Sequence, residues 1–233
     1  MWLEQSKGFM FKPLKLVIFD CDGTLVDSQH MICSAMGQAY AAHNLPVPER
    51  ATLLSIVGLS LIEAFTELGR GSPQFPVASM AEHYRLAFHA MRENGTTVEP
   101  LYPGARETVQ ALSARDDVML GIATGKSQRG VRLVLGHHGL LERFVTIQTA
   151  DDAPSKPDPG MVLAAMRETG AAPRDTVVIG DTVFDIAMAR AAGAAAIGVS
   201  WGYHARDSLA ASGAPVIDTF ATLQPTLDRL WTL

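Results

Sequence analysis

Short apolar runs alternate with helical patterns along most of this chain, and this alternation constrains the fold more than any other feature. Six such runs stand out in the 233 residues, at 16–19, 118–123, 144–147, 176–179, 195–199 and 215–217. Helical spacing of apolar residues recurs at about 104–115, 127–138, 158–170, 183–193, 205–213 and 219–230. Short continuous apolar runs are typical of parallel strands that are buried on both faces. We therefore expect an α/β fold with a Rossmann-like open parallel sheet.

One interval between the predicted strands is much longer than the others. The first and second runs are separated by 98 residues (20–117), and a structureless loop of that length is implausible inside a compact domain. Helical patterns fill most of 28–94, so the interval predicts an inserted α-helical cap domain. The predicted organisation is an α/β core at 14–27 and 100–233, a helical cap at 28–99 and an N-terminal tail at 1–13.

Composition and charge disfavour several classes of protein. Twenty-four acidic residues against 19 basic ones give a net charge of −5, whereas general nucleic-acid binders are usually basic. No stretch reaches the roughly 18 apolar residues that a membrane span requires, and the N-terminus does not resemble a signal peptide. Two cysteines, Cys21 and Cys33, are too few for a disulfide framework. We expect a cytoplasmic protein without nucleic-acid or membrane partners.

Polar and acidic residues are concentrated in four segments, three of which directly follow predicted strands. These segments are Asp20-Cys21-Asp22-Gly23-Thr24, Thr124-Gly125-Lys126, Ser155-Lys156-Pro157, and Gly180-Asp181 with Asp185. In open α/β sheets, ligands bind at the carboxyl ends of the strands, so we expect the four segments to converge on one rim. Carboxylates this close need a positive counter-charge. A donor set of hard oxygens favours Mg²⁺.

Lysine usage points to the same rim. The chain has five lysines, and only Lys126 and Lys156 lie beyond residue 15. Both of them fall in the polar segments. Lys156 fits the need for a compact point charge between carboxylates and a phosphate. The position of Lys126 is also compatible with a residue that merely starts the next helix, with Thr124 and Gly125 carrying that motif.

The residue types in these segments fit phosphoryl transfer. An aspartate can act as a nucleophile and form an aspartyl-phosphate. A second aspartate two residues later can protonate the leaving oxygen and then activate water as a base. The Thr124 hydroxyl and the backbone N–H groups around Gly125 can hold the phosphoryl oxygens. Lys156 and a metal ion would offset the charge during transfer.

Each segment taken alone also has a purely structural interpretation. The Asp-x-Asp-Gly-Thr segment could close a strand with an Asx-type turn, and Thr124 to Ser127 could simply begin a helix. The segment from Gly121 to Ser127 also resembles a P-loop. However, only three residues separate Gly121 from Gly125, whereas a P-loop has four residues between its glycines. Asp181 and Asp185 could favour a helix N-terminus through its dipole. The occurrence of all four segments in the expected order favours a single functional site.

At these residues the chain resembles the haloacid dehalogenase superfamily of hydrolases. The resemblance covers about 14–230 and is carried by DCDGTLVDS at 20–28, TGK at 124–126, SKP at 155–157 and GDTVFD at 180–185. It is strongest to the phosphatases with a helical cap inserted after the first motif, and Val57 to Leu61 looks like the cap loop of phosphoglycolate phosphatases. The implied activity is hydrolysis of a small phosphorylated metabolite such as 2-phosphoglycolate through an aspartyl-phosphate.

The resemblance also implies roles for individual residues. Asp20 is the implied nucleophile and Asp22 the general acid and base, while the phosphoryl group is held by Thr124, Gly125 and Lys156. The implied Mg²⁺ ligands are Asp20, the backbone carbonyl of Asp22, and Asp181, with Asp185 bound directly or through other groups. No further cofactor is implied.

Other branches of the superfamily fit less well, and three alternatives stay open. Dehalogenases lack the second aspartate, which is present here as Asp22, and phosphonoacetaldehyde hydrolases use a cap lysine, whereas 28–99 contains none. Sugar-phosphate mutases carry a hinge histidine and a cap arginine where this chain has Ile32 and Leu61. The alternatives are an inorganic pyrophosphatase, a sugar-phosphate mutase and a non-catalytic binding protein.

Several basic residues are candidates for binding the far end of a substrate. They are Arg50, Arg70, His83, Arg85, His89, Arg92, Arg129 and His204. Most of them are expected to lie on solvated faces. The sequence leaves monomer and homodimer equally open.

Overall fold

A computed structural model describes residues 13–94 and 99–232, so residues 1–12 of the predicted N-terminal tail lie outside it. Its centre is a six-stranded sheet with the order β3-β2-β1-β4-β5-β6, and every neighbouring pair is parallel. The strands are β1 (Lys15–Phe19), β2 (Val118–Thr124), β3 (Thr146–Thr149), β4 (Thr176–Gly180), β5 (Ala195–Val199) and β6 (Val216–Ile217). The predicted α/β fold with an open parallel sheet is confirmed.

Ten α-helices lie within the described residues. Four of them fall between β1 and the next sheet-packing helix: α1 (Gln29–Ala42), α2 (Arg50–Ser55), α3 (Leu61–Leu68) and α4 (Val77–Glu93). The other six are α5 (Ala105–Ser113), α6 (Gln128–His137), α7 (Gly160–Thr169), α8 (Val183–Ala191), α9 (Arg206–Ala211) and α10 (Leu223–Leu230). Among all of these, none has the length and apolar character needed to cross a membrane.

Side chains alternate between the two faces of the sheet, and each face is covered by helices. In β1, Val17 and Phe19 join an apolar cluster with residues of α5, α6 and α10. Leu16 and Ile18 point to the other face and pack with residues of α7, α8 and α9. Because both faces are covered, the strands read as continuous apolar runs in the sequence.

The helices α1 to α4 have an apolar cluster of their own, which includes the buried side chains of Met31, Met36 and Met80. Their two connections to the sheet run side by side, since the Asp27 N–H donates to the Pro100 carbonyl over 2.8 Å. We call α1–α4 and the loops between them the helical insert. The exact division of the chain at 28–99 stays a prediction.

The prediction for β3 was wrong by two residues. The apolar run suggested a strand over 144–147, but the strand spans Thr146–Thr149. Phe144 instead packs below the sheet, with its ring edge-on to Phe19 at 6.4 Å between centroids. The edge strand β3 is polar although three of its four residues are buried, and Gln148 Nε2 donates to Thr146 Oγ1 over 2.9 Å.

Candidate active site

The four polar segments meet at the carboxyl ends of the central strands. Asp20 follows β1, Thr124 ends β2, and Asp181 follows β4. β1 lies between β2 and β4, so the chain crosses to opposite sides of β1 and leaves a crevice at this topological switch point. Such crevices are where open α/β sheets bind ligands.

Three carboxylates form a buried cluster in this crevice. Carboxylate oxygens of Asp20, Asp181 and Asp185 all lie within 4.8 Å of one another. The ammonium of Lys156 lies between two of them, 2.9 Å from Asp20 Oδ1 and 2.6 Å from Asp185 Oδ1. We call these four residues the acidic cluster, because three negative groups share one positive group.

The crowding of negative charge, together with burial, raises the pKa values of two carboxyl groups in the acidic cluster. Burial raises the pKa of Asp20 to about 6, although Lys156 counteracts this, and the charge of Asp185 raises it further. Burial and the charges of Asp185 and Asp20 raise the pKa of Asp181 well above its usual value. Both shifts follow from taking like charges out of water without enough positive charge.

The donor set of the acidic cluster fits a hard divalent cation. All three groups are carboxylates, and Asp20 Oδ2 is a buried oxygen with no hydrogen-bond donor among the described residues. Oxygen ligands and excess negative charge are what Mg²⁺ sites offer. The cluster can therefore hold a metal ion.

Two segments distant in sequence hold Asp181 in place. The Thr24 hydroxyl donates to its Oδ1 and the Tyr203 N–H to its Oδ2, each over 2.9 Å. Gly23 lies against the same carboxylate with φ +86°, and a Cβ there would be 2.3 Å from Oδ2. The Gly-Thr of the first motif is therefore needed for close approach and for a hydrogen bond.

Asp185 differs from Asp181 in accepting three hydrogen bonds from protein donors rather than two. The backbone N–H and the hydroxyl of Thr182 donate to Oδ2 over 3.0 and 2.7 Å, in a capping box at the start of α8. Oδ1 accepts a hydrogen bond from Lys156. The helix-start interpretation of this residue and its place in the acidic cluster thus both hold.

The second aspartate of the first motif faces a different set of partners. Asp22 Oδ1 and Oδ2 lie 2.8 and 3.1 Å from Nζ of Lys126, and Lys126 also contacts Glu99 Oε1 over 3.0 Å. The Ser28 hydroxyl donates to Asp22 Oδ1. The small number of lysines drew attention to Lys126 as a candidate site residue. A single sequence contains no pattern that predicts Glu99 as its partner.

The loop after β2 lies between the acidic cluster and the helical insert. The Thr124 side chain is buried and close enough to Asp20 to lower its pKa. A Cβ at Gly125 would be 2.4 Å from the Leu59 carbonyl oxygen of the insert. Ser60 of the insert donates its N–H to the Ser155 hydroxyl over 2.7 Å. The insert therefore touches two of the four polar segments.

A cavity of about 370 Å³ lies between the insert and these loops. Asp20, Asp22, Thr124 and Gly125 line its polar side, and apolar side chains of the insert such as Met36 and Phe88 line the other. Among the basic candidates for substrate binding, the cavity wall includes Arg85, His89, Arg92 and Arg129.

The remaining basic candidates contact protein groups outside the cavity wall. Arg50 donates to Gln29 Oε1 over 2.8 Å, and Arg70 pairs with Glu67. His83 Nδ1 lies 2.9 Å from the Ser79 carbonyl. His204 accepts from the Val183 N–H through Nδ1, so Nε2 donates to the Ser55 carbonyl. This histidine links α8 to the insert.

Comparison with known proteins decides the family. The model of the haloacid dehalogenase-like hydrolases matches residues 17–199. This chain belongs to that family. It is 37% identical to "Probable phosphatase IndB" of Dickeya dadantii, over 90% of this chain and 91% of the relative. It is 34% identical to the phosphoglycolate phosphatase of Rhodospirillum rubrum, over 93% and 95% of the two chains.

Solved structures agree with this assignment. A hydrolase from Pseudomonas syringae superposes with a TM-score of 0.80 at 27% identity, covering 92% of this chain and 98% of the other. The predicted membership of the haloacid dehalogenase superfamily is confirmed. So is the prediction of a phosphoric monoester hydrolase that resembles phosphoglycolate phosphatases.

Proposed function

We propose that this protein is a Mg²⁺-dependent phosphatase that hydrolyses a small phosphomonoester of the 2-phosphoglycolate type through an aspartyl-phosphate on Asp20. One observation carries the proposal. Asp20 Oδ2 is a buried carboxylate oxygen without a donor among the described residues, and Asp20 lines the cavity next to the ammonium of Lys156. An oxygen without a hydrogen-bond donor is the one best placed to attack phosphorus.

The reaction requires two transfers. Oδ2 of Asp20 forms a bond to phosphorus while the bond from phosphorus to the leaving oxygen breaks, and Asp22 supplies the proton for that oxygen. A water molecule then loses a proton to Asp22 and attacks the phosphorus. Inorganic phosphate leaves, and the Asp20 carboxylate is regenerated.

Positive charge at the phosphoryl group comes from Lys156. Its ammonium has three N–H donors. Asp185 Oδ1 accepts one of them and Asp20 Oδ1 forms an ion pair with the ammonium over 2.9 Å, so donor capacity is left for a phosphoryl oxygen. The Thr124 hydroxyl and the N–H of Gly125 are assigned to the other phosphoryl oxygens. Positioning and electrostatics of this kind dominate phosphoryl transfer.

The metal is assigned to Asp20, Asp181 and the backbone carbonyl of Asp22, with Asp185 contributing charge. The oxygens of Asp185 accept three hydrogen bonds, two from Thr182 and one from the Lys156 ammonium, against two for Asp181, which favours an indirect role for Asp185. When bound, Mg²⁺ supplies positive charge to the reacting phosphate.

The helical cap at 28–99 is assigned the selection of substrate. Its contacts with Gly125 and Ser155 close one side of the cavity, which excludes water from the reaction. Arg129 lines the cavity. A guanidinium in that position suits a second anionic group on the substrate, such as the carboxylate of 2-phosphoglycolate.

A substrate panel tests this function. Phosphate release is measured with 2-phosphoglycolate, pyrophosphate and hexose phosphates in the presence of Mg²⁺. We expect 2-phosphoglycolate to have the highest kcat/KM. A preference for pyrophosphate or conversion of one hexose phosphate to another would favour the alternative activities, and no turnover at all would favour a binding protein.

The Asp20→Asn variant tests the mechanism in the same assay. We expect it to lose turnover and the acid-stable phosphate label at the protein, while its circular dichroism stays that of the wild type. Measurable hydrolysis by this variant would rule out Asp20 as the nucleophile.

A further inference from the structure

The side chain of Asp22 lies in a second group of buried charges next to the acidic cluster. Lys126 contacts both of its carboxylate oxygens and Glu99 Oε1, at 2.8, 3.1 and 3.0 Å. Arg92 Nε and Nη2 contact Glu99 Oε2 at 2.9 and 2.5 Å. We call Asp22, Glu99, Lys126 and Arg92 the balanced cluster, because two negative groups face two positive ones.

Two charged side chains of the balanced cluster are almost completely buried. Only 8% of the Lys126 side chain and 7% of the Glu99 side chain are exposed. Burial alone would lower the pKa of Lys126, but the charges of Asp22 and Glu99 raise it above its usual value. In turn, Lys126 and Arg92 lower the pKa of Glu99. The charges of Lys126 and Glu99 are therefore stabilised by their oppositely charged neighbours.

The hydrogen-bonding capacity of Lys126 separates its role from that of Lys156. An ammonium has three donors, and Lys126 has three acceptors within reach, two on Asp22 and one on Glu99. Although Lys126 lines the cavity, its ammonium is thus surrounded by protein acceptors. Within the described residues Lys156 has one hydrogen-bond acceptor, Asp185 Oδ1, and one further ion-pair partner, Asp20 Oδ1. The geometry thus suits Lys126 for holding a carboxylate, and Lys156 for binding a phosphoryl group.

We infer that Lys126, itself held by Glu99, is the positioning residue for Asp22. This inference rests on the proposed function, in which Asp22 protonates the leaving oxygen. Lys126 follows β2 in the core, whereas Arg92 lies in α4 of the insert. Phe88 of α4 adds a contact, since its ring centroid is 5.1 Å from Lys126 Nζ and 4.7 Å from Arg92 Cζ. Asp22 is therefore oriented by side chains from both parts of the protein.

The test compares two substrates whose leaving groups differ in their need for a proton. An alkyl phosphate needs general acid catalysis to expel its alkoxide, whereas p-nitrophenyl phosphate expels a stable phenolate without it. General acid–base catalysis contributes about 10²–10⁴-fold. In Lys126→Met we expect kcat/KM to fall about 100-fold for 2-phosphoglycolate and less than about tenfold for p-nitrophenyl phosphate. Glu99→Gln changes the same ratio in the same direction by a smaller factor.

A second readout separates positioning from substrate binding. Inorganic phosphate, used as a competitive inhibitor, should keep its inhibition constant within about threefold in both variants. Equal losses of kcat/KM for the two substrates, or much weaker inhibition by phosphate, would overturn the inference and make Lys126 a substrate ligand. If Lys126→Met does not fold, the substrate ratio and the phosphate inhibition of Glu99→Gln decide the question.

Two controls complete the experiment. Lys15→Met removes a half-buried lysine outside both clusters, which pairs with Asp175 over 2.5 Å at the amino end of the sheet, and both substrates should retain wild-type kcat/KM. Asp22→Asn defines the largest substrate ratio that loss of the acid can produce. If the wild type does not hydrolyse the alkyl phosphate, or if Asp22→Asn shows no change in the ratio, the proposed function fails rather than the role of Lys126.

Discussion

Two groups of buried charges lie side by side in this protein, and their charge balance differs. The acidic cluster has three carboxylates for one ammonium, whereas the balanced cluster has two carboxylates for two bases. Both contain one aspartate of the first motif, either Asp20 or Asp22. This difference supports the proposal that the unbalanced group receives a cation and a phosphate, and the inference that the neutral group holds the Asp22 side chain in place.

The largest expected effect comes from removing the metal. Chelation should lower turnover by at least about 1,000-fold, because several kcal/mol of transition-state stabilisation come from the metal charge. Initial rates before and after chelation, with Mg²⁺ added back, measure this. Full activity after exhaustive chelation would mean that the acidic cluster works without a metal.

The two lysines provide a direct comparison of the clusters. Lys156→Met and Lys126→Met should each lower the free energy of unfolding by about 3 kcal/mol without metal, because each leaves buried carboxylates uncompensated. Added Mg²⁺ should restore part of the stability of Lys156→Met only, since only the acidic cluster has excess negative charge. Denaturant titrations with and without Mg²⁺ measure the difference.

An exposed ion pair serves as the matched control. Arg206 pairs with Asp218 over 3.0 Å with more than half of each side chain exposed, so Arg206→Met should change the free energy by less than about 1 kcal/mol. Equal Mg²⁺ rescue of both lysine variants would contradict the distinction between the clusters.

Asp20→Asn should stabilise the metal-free protein. The pKa of Asp20 is raised to about 6 mainly by burial, so the ionised group destabilises the folded state near pH 7. Removing its charge should add about 1–2 kcal/mol, as commonly found where function costs stability. Thermal unfolding in chelator checks this, and a lower melting temperature for the variant would argue against charge crowding.

The smallest expected effect is a pH dependence in the balanced cluster. The pKa of Glu99 is lowered from its usual 4.5 in the folded protein, so its stabilising contribution is present above pH 4.5 and is lost as the pH falls through the lowered value. The difference in unfolding free energy between wild type and Glu99→Gln should therefore be largest near neutral pH and shrink as the pH falls below 4.5. A difference that grows on acidification would contradict the sign of the shift.

Much of the fold followed from local patterns. The run at 195–199 coincides with β5, because strands buried on both faces are continuously apolar. β3 was misplaced because an edge strand need not be apolar, and Phe144 is buried without belonging to it. An apolar run in the sequence indicates that its residues are buried. It indicates a strand only where those buried residues also form one.

The sequence alone determined which residues follow the strands. Those residues include the members of the acidic cluster. Strand ends are set by local patterns, and parallel strands bring their carboxyl ends to one edge, so Asp20, Lys156 and Asp181 could be predicted to meet. Only the tertiary structure decided the partners of Asp22. Glu99 is 77 positions away from it in sequence and approaches Lys126 because the two connections of the insert pair with each other. This pairing depends on how elements that are separate in sequence pack together, so a local sequence pattern cannot predict it.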